Sequence, residues 1–354
     1  MKVLFLNRYT RLGASSRLRS YQYFPILQSR EFEVTCQSLF DDKYLIDLYS
    51  RKRISGMRIA SLYFKRFFFL FTVFKYDLVI IEKELFPYCP ALVERLFRLL
   101  NVRYVVEYDD AIFHNYDNNK RWIIRLFLKN KIDVVMKFSS GTIVGNTYLR
   151  DRALKAGAGN VVVIPTVIDL KRYKCKSNFN NSKLVIGWIG SPSTLKYLHL
   201  LTNVFKKLDA DFELHIVGGG SGIGLPEIEK IIKWDERTEV DSILQFDIGI
   251  MPLLDDKWER GKCAYKLIQY MACGIPVIGS PVGANVDVIR DGKCGFFAQS
   301  DEEWVQSFEI LINDCRLRRE FGFNGRAIVA DNYTVKAVTE TYINFISDVI
   351  LRSK

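Results

Sequence analysis

The chain is poor in the residues that metal and redox chemistry require. Its 354 residues include three histidines (His114, His199, His215) and seven scattered cysteines. No CxxC pair and no Cys/His zinc spacing occurs, and an odd, scattered set of thiols reads as reduced rather than as a disulfide framework. Long apolar runs are missing as well. The nearest, residues 67–74, is far short of the ~18 residues that a membrane-crossing helix requires. Residues 1–6 are too short for a signal peptide and read as a first buried strand. Acidic residues are scarce in the first half: residues 1–165 hold 27 Lys and Arg against 15 Asp and Glu, whereas 166–354 hold 24 against 25. The whole net charge of +11 therefore lies in the first half. Such an excess favours an anionic partner there, such as a membrane surface or a phosphorylated lipid. Nucleic acid is not expected, because no recognition helix or RNA-binding motif occurs.

The length exceeds a single core and suggests two domains. Strand-like and helix-like runs alternate, which implies parallel βα units and an α/β class. In the first half, strands are expected at 2–6, 78–81, 103–107, 141–144 and 161–164, with helices at 16–28, 54–74, 89–100, 120–138 and 147–156. The polar segment 171–183 reads as a linker. The pattern restarts with strands at 184–189, 212–217, 248–251 and 277–278, and helices at 196–208, 302–313, 317–332 and 335–351. The glycine run 218–224 does not fit a dinucleotide fingerprint in any register and reads as a loop.

The segment from Arg260 to Ile278 carries the most chemistry. Leu267, Ile268, Met271 and Ala272 recur at helical spacing, and Gly274 followed by Pro276 ends the helix. Gly261 opens a turn before it. Lys262 and Lys266 flank the helix start, where cations oppose the helix dipole unless an anion sits there. A helix N-terminus beside two ammonium groups is a phosphate site. A second basic stretch, residues 51–71, is rich in aromatics and reads as a helix able to lie in a membrane interface. Glu107, Asp109 and Asp110 crowd the end of an expected strand, where open α/β sheets place their sites.

Three stretches of the second half resemble the GT-B glycosyltransferases of the large retaining group known as family 4: residues 190–196, 246–253 and 261–276, with Ser280-Pro281-Val282-Gly283 after them. In the first half Gly13-Ala14-Ser15-Ser16-Arg17, Glu107-Tyr108-Asp109-Asp110 and residues 163–169 also match, so the resemblance spans nearly the full length. It implies two Rossmann-like domains facing across a cleft: an acceptor domain, 1–168, onto which a closing helix at about 335–354 packs back, and a nucleotide-sugar domain, 183–334. It implies that Lys196 and Lys266 contact the donor diphosphate and act in catalysis. The family arginine is replaced by Ser191, and Lys262, beside the helix start, is read as supplying the missing cation. Gly13, Ala14, Ser15 and Gly190 would line the donor. Gly261 and Gln269 stand where the family has paired glutamates. Gln269 retains an acceptor for ribose hydroxyls, whereas Gly261 has none, and Glu259 lies two residues before it. Asp110 would act in catalysis and, with Asp109, Arg17 and His114, would meet the acceptor, which Arg19 could also reach.

The expected function is sugar transfer from a nucleotide diphosphate-sugar to an acceptor hydroxyl, with retention and with neither metal nor cofactor. The acceptor would be a glycan or lipid-linked species in surface polysaccharide or glycolipid assembly, at the inner face of the cell membrane. A nucleotide-sugar epimerase of the same fold and a catalytically silent membrane-associated scaffold are the alternatives.

Overall fold

A computed structural model describes residues 1–50, 52–179, 183–290 and 292–351. Arg51 of the basic stretch, 180–182 of the expected linker and 352–354 of the closing helix lie outside them. The chain divides into two compact units, Met1–Thr166 with Val338–Lys354, and Val167–Ala337.

Unit 1 is built on six parallel strands: β1 (Lys2–Asn7), β2 (Glu33–Ser38), β3 (Leu78–Glu82), β4 (Tyr104–Tyr108), β5 (Gly141–Val144) and β6 (Val161–Val163), in the order β2-β1-β3-β4-β5-β6. Strands β3, β4 and β5 are buried at every residue. Their near-continuous apolar sequences are those of parallel strands covered on both faces. The Val335–Leu351 helix returns to this unit from Val338 onward. Tyr342 stacks on Tyr23 at 4.4 Å, and Phe345 fills the space where a Cβ on Gly141 would lie within 2.7 Å of its ring.

Unit 2 repeats the principle with a different order. Its strands are β7 (Leu184–Ile189), β8 (Phe212–Val217), β9 (Glu229–Ile232), β10 (Ile248–Met251), β11 (Val277–Gly279) and β12 (Gly295–Phe297), arranged β12-β11-β10-β7-β8-β9, all parallel. Both units are Rossmann-like. Strand order reverses between β1 and β3 in unit 1, and between β7 and β10 in unit 2. Open α/β sheets bind ligands beyond the carboxyl ends of the strands at such reversals.

Several expected helices are subdivided. The 16–28 helix is Ala14–Arg19 and Phe24–Ser29, joined by a 3₁₀ turn; Pro25 stands at the start of the second piece, where its missing N–H costs nothing. The 120–138 helix is Trp122–Leu128 and Lys131–Phe138. The 196–208 helix is two short helices about a 3₁₀ turn.

Candidate active site

In unit 2 the strand reversal gathers lysines. After β7, Gly190 sits so close to Trp188 that a Cβ would come within 2.4 Å of the indole. Gly218 follows β8 at φ +80, and a Cβ there would meet the Gly190 carbonyl at 2.5 Å. The two loops thus pack backbone on backbone. Ser191 begins a 3₁₀ turn that leads into Leu195–Leu198. This short helix turns Tyr197 inward, where its hydroxyl donates to the buried Glu259 carboxylate. Lys196 stays largely exposed, its Nζ 4.7 Å over the Tyr197 ring and 3.9 Å from Glu259 Oε1. Lys262 lies 5.5 Å from the same ring, and Lys266 lies 5.6 Å over Trp188. Two aromatic faces thereby collect three ammonium groups, within the range of cation–π attraction.

The Tyr265–Ala272 helix starts among these lysines. It has no side-chain cap and no acidic residue in its first turn. Its N-cap, Ala264, is left-handed at φ +52, a costly conformation for a residue with a Cβ. Gly274, at φ +72, ends the helix as expected. Gly261 is no unusual turn: at φ −81 it closes the short Lys257–Arg260 helix that carries Glu259.

Gln269 is buried under the helix and donates through Nε2 to the Tyr173 hydroxyl at 3.1 Å. Tyr173 in turn lies 3.3 Å from the Tyr265 hydroxyl and 3.5 Å from Glu239, which accepts from Trp234 Nε1 at 2.8 Å. Burial, with the neighbouring Tyr265 and Glu239, holds the Tyr173 hydroxyl well above its ordinary range.

Unit 1 gathers a different set at its own reversal. Gly13 caps the Ala14–Arg19 helix, and a Cβ there would strike Tyr9 at 2.5 Å. Ser16 donates to Glu82 at 2.6 Å, and the Arg8 N–H donates to the same carboxylate. Lys83 follows β3 in a left-handed conformation, φ +67. Its buried ammonium lies 2.8 Å from Asp109, 3.2 Å from Asp110 and 3.3 Å from the Ser15 hydroxyl. Glu82 and Glu107 are register partners on β3 and β4, and Glu107 pairs with Arg19 at 2.5 Å. The crowding of carboxylates at the strand end is therefore offset by two buried cations, Lys83 and Arg19. Arg19 reaches inward rather than toward solvent.

Burial opposes ionisation throughout this cluster, but the outcomes diverge. Asp109 sits below its ordinary value because Lys83 outweighs burial. Lys83 is raised, since Asp109, Asp110 and Glu82 overcome the desolvation that would lower it. Glu107 is pushed up to about 8 by burial, against the pull of Arg19. Glu82 is raised by burial too. Of the remaining acceptor candidates, Arg17 is buried and donates to the Arg11 carbonyl, and His114 lies 2.8 Å from both Asp117 and the Tyr148 hydroxyl. Ala14 opens the helix that places Ser15 beside Lys83.

Lys83, Trp188, Tyr197 and Tyr173 are site elements that the sequence reading missed. The signal for Lys83 was Glu82-Lys83-Glu84, three charges directly after an apolar strand. Among the described residues, no group of three His, Cys, Asp or Glu is placed to hold a metal ion, and no helix is long and apolar enough to cross a membrane.

Residues 183–314 match the family model described as Glycosyl transferases group 1. The N-acetyl-alpha-D-glucosaminyl L-malate synthase of Bacillus anthracis is 25% identical over 203 residues, 52% of this chain and 51% of that protein. The chain spans about half the length of the curated relatives it matches. Among solved structures, sucrose-phosphate synthase from Thermosynechococcus elongatus superposes with a TM-score of 0.73 at 12% identity, covering 99% of both chains. Anabaena HepE in complex with UDP-glucose gives 0.72 at 16% identity, covering 98% of this chain and 100% of that one. The chain resembles the group 1 glycosyl transferases and has the GT-B architecture of two Rossmann-like units.

Proposed function

We propose, on the premise of that resemblance, that the chain transfers a sugar from a nucleoside diphosphate-sugar to an acceptor hydroxyl with retention at the anomeric carbon and without a metal. The observation that carries this reading is the set of three lysines held over Trp188 and Tyr197 beside the uncapped start of the Tyr265–Ala272 helix. A diphosphate leaving group develops negative charge as the glycosidic C–O bond breaks. Preorganised cations and a helix N-terminus stabilise that charge in the transition state. Retention follows if the acceptor oxygen attacks from the face that the diphosphate leaves, giving its proton to a departing phosphate oxygen. The HepE complex with UDP-glucose supports a nucleotide-sugar of this kind as donor.

Within this reading Lys196, Lys262 and Lys266 bind and neutralise the diphosphate. Gly190 and Ser191 line the donor in unit 2. Glu259, bonded to Tyr197 and near Lys196, orients the lysine platform. Asp110, with Asp109, receives the acceptor hydroxyl, and Arg17 and His114 bind the acceptor with them. Gln269 serves the ribose through its amide oxygen while its Nε2 anchors to Tyr173. The acceptor is a glycan or lipid-linked species of surface polysaccharide or glycolipid assembly. The basic Gly56–Phe69 helix brings the enzyme to the inner face of the cell membrane.

Thermal stabilisation by nucleoside diphosphates and nucleotide-sugars, in the absence of divalent metal, tests the donor site. A ligand at one hundred times its dissociation constant adds ~2.7 kcal/mol. One nucleotide is expected to stabilise the wild type and not Lys266→Ala. If none stabilises either protein, the silent scaffold takes the lead, a reading motivated by Gly261 and Gln269 standing in place of acidic side chains.

A further inference from the structure

The Gly56–Phe69 helix presents the wrong face to solvent for an ordinary surface helix. Arg66 is 0% exposed and donates to the carbonyls of Asn7 and Gln37 at 2.6 and 3.0 Å. Burial pulls its guanidinium down to about 9. Meanwhile Phe64, Phe68 and Phe71, spaced four and three residues apart along one face, are 63, 65 and 67% exposed. A cation has been taken inside so that a stripe of rings faces out.

A second element repeats the device. The Trp122–Leu128 helix has only Leu128 buried, while Trp122, Ile123, Leu126 and Phe127 are exposed, Phe127 by 73%. Both helices lie in stretches of unusual charge. Residues 48–76 contain six Lys and Arg besides the buried Arg66, residues 118–132 contain four besides Lys131, which is buried against Glu84, and neither stretch contains a single Asp or Glu.

The two elements are joined by the loop that follows Lys83. Tyr63 donates to the Pro87 carbonyl at 2.9 Å. The Tyr88 N–H donates to the Tyr116 hydroxyl at 3.0 Å. From Tyr116 the chain runs through Asn119, whose carbonyl accepts from Arg125 at 2.6 Å. Tyr88 itself is exposed and left-handed at φ +59. The loop between the two apolar faces thus begins at the cation of the strand-end cluster.

We infer that unit 1 docks on an anionic bilayer through two apolar prongs, the Gly56–Phe69 helix with Phe71 and the Trp122–Leu128 helix, which insert their rings together while the surrounding Lys and Arg meet lipid phosphates. The inference rests on the membrane reading above and adds the second prong, which inserts with the first. A bilayer interface supplies both an apolar layer and a plane of negative charge, which is what these faces lack. Docking in this way holds the Lys83 loop at the headgroup plane.

Flotation of the full chain with vesicles tests it. Zwitterionic lipid alone is compared with a mixture containing an anionic phospholipid, for wild type, Phe68→Ser/Phe71→Ser and Trp122→Ser/Phe127→Ser. These side chains are exposed, and unchanged melting verifies that the variants fold. The wild type is expected to float with the anionic mixture only and to be released by high salt. Each double variant is expected to lose about tenfold or more in partitioning. Wild type that binds neither vesicle sinks the membrane reading altogether. If the 68/71 variant loses binding and the 122/127 variant does not, the two-prong inference fails and the membrane reading stands. Equal binding to both vesicles overturns the anionic lipid class. A dimer seen by light scattering, lost in the same variants without vesicle binding, reassigns the face to contact between copies and overturns the proposal. Nucleotide stabilisation is measured alongside; its absence counts against the donor site alone.

Discussion

The two units solve opposite electrostatic problems at equivalent places. In unit 1 the strand reversal collects carboxylates, Glu82, Glu107, Asp109 and Asp110, and the fold compensates them internally with Lys83 and Arg19. In unit 2 the reversal collects ammonium groups, and the fold rests them on aromatic rings beside one buried carboxylate. A buried carboxylate–cation cluster is closed on itself: removing one member strands the others in a low dielectric. The lysines on the ring faces border an uncapped helix start, where an incoming anion is favoured. The buried charges of unit 1, Lys83, Arg19, Glu82 and Glu107, should therefore report mainly on folding, and the lysines of unit 2 mainly on ligand.

That contrast breaks first at Lys83. Lys83→Met should cost about 3–5 kcal/mol of stability by leaving Asp109, Asp110 and Glu82 uncompensated, seen as a lower denaturation midpoint. Equal stability would show that the cluster is solvated and the contrast false. Lys266→Ala should do the reverse: on the proposed activity it lowers kcat/KM by about 10²–10³, roughly 3–4 kcal/mol of transition-state stabilisation, and it abolishes nucleotide-dependent stabilisation. A sharper probe is the pH dependence of Glu107, which holds its proton to about pH 8 in the fold against an ordinary 4.5. Between those values the folded state binds more protons than the unfolded chain, so this contribution is complete below about pH 4.5 and is lost as pH rises through about 8, at up to ~1.4 kcal/mol per pH unit. Glu107→Gln cannot titrate; the stability of wild type relative to this variant should fall steadily from about pH 5 to about pH 8, and a flat difference would place the proton elsewhere. The smallest effect is expected at exposed Lys196, where Lys196→Ala should keep stability within about 0.5 kcal/mol of wild type while weakening nucleotide stabilisation.

The central strands were legible because burial on both faces leaves an almost unbroken apolar run, as in β3 and β4. The strands the sequence reading missed, β2, β9 and β12, are all edges of their sheets; β2 reads Glu-Val-Thr-Cys-Gln-Ser and is only half-buried, so neither alternation nor a run stands out. Lys262 and Lys266 could be picked from their place at one helix start, and Lys196 from the family resemblance. Their aromatic supports could not, because Trp188 and Tyr197 look like any core residues until packing brings them under the ammonium groups. Lys83 escaped for a related reason: between two glutamates it reads as a solvated charge run, and only the pairing of β3 with β4 sets it against Asp109. The burial of Gln269 could not be read either: the spacing of Leu267, Ile268, Met271 and Ala272 leaves it off the apolar face, and only packing of the whole 267–272 stretch buries it.

The discontinuity of unit 1 has a temporal consequence. Its sheet is encoded before Thr166, but the helix that seals Gly141 and stacks on Tyr23 begins its contribution at Val338, after all of unit 2. On a ribosome adding ~5–20 residues per second, the first unit waits on the order of ten seconds for its last piece. During that interval the apolar surface destined for Tyr342, Phe345 and Val349 stands open. Unit 2 is contiguous and can complete itself first, so the part synthesised first is the part finished last, and truncation near the C-terminus should damage the unit encoded at the N-terminus.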